Sequence, residues 1–215
     1  EVIESNKDDF TLEEVDNHYV TRKGKKYKVE FASIVNEENL MTINKDNCAL
    51  KMNFLGKKRR MKRVKSSIGK IKENKVIYEE IEEGIDLSYQ CQESKIKESI
   101  IIKTRQDNYD YDFTMDIGEL TPRFNEKENV LELVKDNKSV YRILSPYMED
   151  SNKQRSEDCS YSIEQSGSLL TLHLHCDSKW INDETRLFPI IVDPTIEVEV
   201  TDIIQFINVT NGEEK

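Results

Sequence analysis

Apolar and polar positions alternate along most of the chain, with the two-residue period of half-buried strands. The pattern begins at residues 18–21 and turns at 22–25; Tyr27, Val29 and Phe31 then share one face of a second strand. Residues 40–43 and 48–55 read as the next pair, turning at 44–47 through Asn-Lys-Asp-Asn. In the second of these, Cys48, Leu50, Met52 and Phe54 fall on one face, which points that cysteine to a core. Residues 75–81 and 85–91 flank Glu82-Glu83-Gly84, and 96–104 follows. A four-residue loop at 92–95 sets Leu87 opposite Ile100 and Ile85 opposite Ile102, a coherent apolar pairing. Residues 109–115, 130–134 and 139–144 extend the series, and 149–158 reads as a long polar loop.

Near the end, Arg186 to Ile196 holds a short β-branched run between Pro189 and Pro194. Proline cannot donate to a ladder, so this strand should lie at an edge or begin and stop at the prolines. Asp193 reads as the turn residue that closes it. Upstream, residues 159–163 and 170–176 flank Ser166-Gly167-Ser168-Leu169. Gly-Ser is a good two-residue loop of type II′, and that register sets Cys159 directly opposite Cys176. Their pair falls at a non-hydrogen-bonded position, where Cα atoms approach to about 4.5 Å, within disulfide reach. The expectation is a Cys159–Cys176 disulfide, the alternative being two neighbouring buried thiols; Cys48 and Cys91 stay free. His173 and His175 share the opposite strand face, which suits two imidazole ligands, with Asp177 or Glu164 to complete a site. No spacing demands that completion, so the expectation is no metal, with His173 and His175 the weak candidates.

Composition changes the picture in three ways. Ala occurs only at Ala32 and Ala49, which favours strand over helix. The formal net charge of −10 argues against a general nucleic-acid binder. The seven basic residues between Lys57 and Lys65 carry no interleaved aromatic and read as a solvated hairpin tip. No apolar stretch approaches the ~20 residues of a membrane span. The first residue is Glu rather than Met, which suggests a processed or excised piece of a longer protein. Carboxylate pairs such as Asp110 with Asp112 are too common to mark a site. No phosphate loop, Gly-x-Ser-x-Gly elbow or Cys-x-x-Cys motif occurs, and no cofactor is expected. The fold expected is all-β: an antiparallel β-sandwich-like architecture of successive hairpins with little helix. Residues 1–17 read as an entry segment, 18–120 and 121–200 as two β halves or one continuous domain, and 201–215 as a terminal strand or linker.

Several segments, in order, resemble one family: Val76-Ile77-Tyr78, Gly84 to Tyr89, Ile96 to Ile102, Ser145 to Asp150, Trp180 to Asp183, and Phe188 to Ile196. Together they are similar to the β-rich region that precedes a DNRLRE domain in large, secreted, wall-associated Gram-positive proteins with RHS/YD repeats. The resemblance implies a secreted or cell-surface protein, a β-sandwich-like fold, and a structural, adhesion or assembly role. It brings no catalytic residues. The expected function is accordingly a non-enzymatic module whose partners are other domains of a longer chain and a cell-wall or surface glycan, with no nucleic acid. An alternative is a carbohydrate-binding module stacking sugars on tyrosines or Trp180. A glycoside hydrolase, which needs two carboxylates across a cleft, stands third.

Overall fold

Alternation becomes a hairpin where the turn chemistry allows it. Three Asp-Asn pairs, Asp16-Asn17, Asp46-Asn47 and Asp136-Asn137, hold positive φ at both residues. That is the type I′ geometry whose twist matches antiparallel strands, and Asn and Asp tolerate it. The computed structural model describes residues 10–21, 27–35, 39–57 and 67–198. It is all-β, with 63% of the described residues in strands and 4% in helix, built from successive antiparallel hairpins.

The chain crosses repeatedly between two sheets. Strands β1 (Leu12–Val15), β2 (His18–Thr21), β3 (Lys28–Ala32), β4 (Met41–Lys45) and β5 (Cys48–Lys57) form a meander in the first. The next meander, β6 (Gly69–Lys72), β7 (Lys75–Glu82), β8 (Ile85–Cys91) and β9 (Lys95–Ile102), belongs to the second. Here Ile85 faces Ile102 and Leu87 faces Ile100, as the sequence predicted. β10 (Asp110–Asp116) returns to the first sheet beside β5. β11 (Thr121–Asn125), β12 (Val130–Lys135), β13 (Lys138–Ile143), β14 (Tyr147–Glu149) and β15 (Arg155–Ser156) join the second. The hairpin β16 (Cys159–Ser166) and β17 (Leu169–Cys176) then adds to β10 in the first sheet. One helical turn, α1 (Ser178–Asn182), leads to β18 (Ile190–Asp193) and β19 (Ile196–Val198) in the second. Stretches 18–120 and 121–200 thus each supply strands to both sheets.

The strand between the prolines starts and stops at them, but it is not at an edge. β18 lies between β9 and β14, and β19 between β9 and β13. Along β9 the two keep one register, from Ile190 opposite Ile102 to Glu197 opposite Lys95. They are one strand interrupted at Pro194, which has no N–H to give. On the far side, β13 and β14 are interrupted in the same place by Pro146, where Leu144 N–H donates to Thr195 O at 2.9 Å.

Buried side chains of both sheets form one core, including Phe31, Leu50 and Phe113 from the first and Tyr78, Leu87 and Ile196 from the second. The sheets also meet at a seam: Leu12 N–H donates to Glu73 O, Gly69 N–H to Ser33 O and Val35 N–H to Ser67 O. An isolated bridge joins Ile34 to Ile68 there.

The structure departs from the sequence reading in several places, β6 (Gly69–Lys72), for which the reading had no strand, among them. Residues 12–15 form a strand inside the stretch read as an entry segment; only Leu12 of the four is buried, so the alternation was faint. The reading has no strand at β11 because no residue of it is buried; among the described residues it pairs with β12 alone, an edge position that tolerates Pro122. The stretch read as a polar loop contains Glu149 of β14 and all of β15. α1 is capped by Asp177, whose carboxylate accepts from the N–H groups of Lys179 and Trp180. The turn at 22–25, all of the basic run beyond Lys57, and 201–215 lie outside the described residues.

Candidate functional site

The cysteines and histidines singled out from the sequence gather on β16 and β17. His173 and His175 share the face opposite Leu172, Leu174 and Cys176, whose side chains enter the core. Their ladder partners on β10 are Asp112 and Asp110, and on β16 Ser162 and Ser160. His173 Nδ1 lies 2.6 Å from Asp112 Oδ1, and His175 Nδ1 is held by Asp110 Oδ1 in the same way. A carboxylate only accepts, so each Nδ1 carries the proton. The two rings differ in exposure: the His173 side chain is 12% exposed and that of His175 66%. His173 Nε2 is buried without a hydrogen-bond partner, 3.6 Å from Glu164 Oε1.

A shallow pocket on this face is lined by both imidazoles, Asp110, Ser160 and Ser162. Among the described residues neither serine hydroxyl hydrogen-bonds an imidazole. Among the same residues no group of three or more His, Cys, Asp or Glu side chains is placed to hold a metal ion. In the sequence Asp110 and Asp112 are one carboxylate pair among many. Their signal was the spacing: two aspartates two apart on one strand match two histidines two apart on another.

On the other face of the hairpin, Cys159 and Cys176 are ladder partners, and both are buried thiols in this structure. Burial pushes the Cys176 thiol well up, and the neighbouring Cys159 adds to the effect. Cys48 and Cys91 are buried thiols elsewhere.

A second polar cluster sits at the proline interruption, where the sequence signalled only a turn. Asp193, 1% exposed, accepts from Lys97 Nζ at 2.7 Å, from Tyr147 Oη at 2.6 Å and from Thr195 Oγ1 at 2.6 Å. Desolvation alone would lower the Lys97 pKa, but the bonds to Asp193 and Tyr147 outweigh it and raise it. The Arg155 guanidinium covers the Tyr147 ring at 3.6 Å. Close by in the chain, Arg186 pairs with buried Asp150 at 3.3 Å and lies 4.8 Å over the Trp180 ring. That ring is half-buried against the core, so its face is not an open platform for a sugar. Segments 145–150, 180–183 and 186–196, scattered in the sequence, are joined here by side-chain contacts.

The fold and this site define a two-sheet antiparallel β unit whose polar clusters fasten strand to strand. No protein-family model matches the chain. Curated relatives include the tRNA3(Ser)-specific nuclease WapA of Bacillus spizizenii, the tRNA(Glu)-specific nuclease WapA of Bacillus subtilis subsp. natto and the tRNA nuclease WapA of Bacillus subtilis strain 168. Each is 26% identical over 136 residues, 60% of this chain. The match spans about 6% of the length of each relative. This overturns the expectation of a non-enzyme, since the relatives are named as nucleases. Nor do those names favour the expected absence of a nucleic-acid partner, because tRNA is in each of them.

Proposed function

We propose that this chain is a structural and assembly module of a large, exported, nuclease-bearing bacterial protein. The observation that carries the reading is the match itself: a folded two-sheet unit aligned to a small fraction of three much longer proteins named as tRNA nucleases. Two further features support it. The buried polar residues described above pair with one another and tie strands together, as in a unit built to hold its shape. The similarity to the β-rich region of wall-associated RHS/YD-repeat proteins points the same way, to an extracytoplasmic setting with other domains of the parent chain as partners. Among the described residues no helix is long and apolar enough to cross a membrane.

A chimera tests the reading: the matched region of the strain 168 nuclease is replaced by this chain, either unchanged or carrying Asp193→Ala. The unchanged insert should preserve export and tRNA cleavage. The Asp193→Ala insert should lower the exported amount several-fold while cleavage per exported molecule holds. Undiminished export of the Asp193→Ala insert would contradict the proposal.

A further inference from the structure

We propose that Cys159 and Cys176 form a cross-strand disulfide when the folded chain meets an oxidising disulfide pool, fastening the edge strand β16 to β17. The ladder sets the two residues directly opposite each other. Backbone bonding fixes the kind of pair. Asn129 Nδ2 donates to Cys159 O at 3.0 Å, and Tyr161 N–H donates to Asn129 Oδ1 at 2.8 Å. These groups of β16 therefore face away from β17, which makes Cys159–Cys176 a non-hydrogen-bonded pair. At such positions the Cα atoms are about 4.5 Å apart and the side chains lie closest, within the range a disulfide spans. The other cysteines have no such neighbour: Cys48 is opposite Lys45, and Cys91 is opposite Ile96.

The position also gives the bond a purpose. Among the described residues β16 is the last strand of its sheet, with one ladder partner, and its outer backbone groups at residues 159 and 161 are met by the Asn129 side chain instead of a strand. An edge held on one side opens more readily than an interior strand. Cys159 is the more exposed residue of the two, at 8% against 1%, and lies on the edge strand, so it reacts first. Its thiolate, having given its proton to solvent, attacks one sulfur of the external disulfide; that S–S bond breaks and one thiolate leaves. Cys176 then loses its proton and attacks the mixed disulfide at the Cys159 sulfur, forming the new bond and expelling the second thiolate. Two electrons pass from the cysteine pair to the external disulfide, and the two protons end on the released thiols.

The test uses the full chain, folded, equilibrated with a mixture of oxidised and reduced glutathione at an oxidising, extracellular-like ratio. After acid quench, denaturation and alkylation without reductant, intact mass should show two alkyl groups, rising to four after reduction. Peptide mapping should find 159 linked to 176. The Cys48→Ser/Cys91→Ser chain should form the same bond to the same extent. Four alkyl groups without reductant, a glutathione adduct that never resolves, or a link involving residue 48 or 91 would overturn the proposal. Because the measurement on the unmodified chain decides it, failure of a variant to fold does not.

Discussion

At Glu98 the fold has buried a carboxyl group among isoleucines, on the strand face opposite Lys97, with Tyr89 Oη donating to it at 2.7 Å. Burial dominates: it pushes the Glu98 pKa from 4.5 up to about 8, against the Tyr89 hydrogen bond and helped by the Asp193 charge. The consequence for stability has a definite sign. Below about pH 4.5 the folded and unfolded states both hold the proton. Between there and about pH 8 the unfolded chain gives it up while the folded chain keeps it, so this group's contribution falls as pH rises. Glu98→Gln keeps an acceptor for Tyr89 and removes the titration. Urea unfolding at about pH 5 and about pH 8 should show the variant gaining on the wild-type chain by a few kcal/mol across the window. Parallel profiles would mean that Glu98 is charged inside the fold.

Among the elements, the seam between the sheets depends on Gly69 at the start of β6. A Cβ there would stand 2.7 Å from Tyr19 Cε2 and 2.8 Å from Tyr78 Cε1. Neither ring can easily retreat, because Tyr19 Oη donates to Gly69 O and Tyr78 Oη to Ala32 O, both at 2.6 Å. Gly69→Ala should cost about 1–3 kcal/mol, the range for overfilling a packed site. Chemical denaturation measures it; an unchanged midpoint would show that the seam yields freely. The hairpins themselves were legible in the sequence because their causes are local. Gly167 adopts φ 62° and sets Ser166 opposite Leu169, so the Cys159–Cys176 register followed from the turn. Illegible were contacts made across long stretches of chain. His173 and Asp112 are 61 residues apart and meet only because β10 inserts beside β17. Asn129 was equally silent, since an amide bridging an edge strand has no spacing that announces it. Asp193 could be placed at a strand end, but its three donors come from β9, β14 and the residues just after Pro194.

In the whole molecule, strands that alternate between two sheets make a single cooperative unit, stitched by β18 and β19. Asp193 is the place to probe it. Removing its carboxylate takes the acceptor from Tyr147 and Thr195 and leaves Lys97 Nζ only Tyr147 Oη, at 3.0 Å, a loss of about 3 kcal/mol, at the low end for a buried pair because Lys97 is 35% exposed. The direct measurement is native-state hydrogen exchange, strand by strand, on the unmodified chain and on Asp193→Ala. Protection should fall by the same factor in β9 and β18 of the second sheet and in β5, β10 and β17 of the first. Loss of protection confined to the second sheet, with β10 and β17 unchanged, would contradict that single unit and divide the molecule into two independent layers.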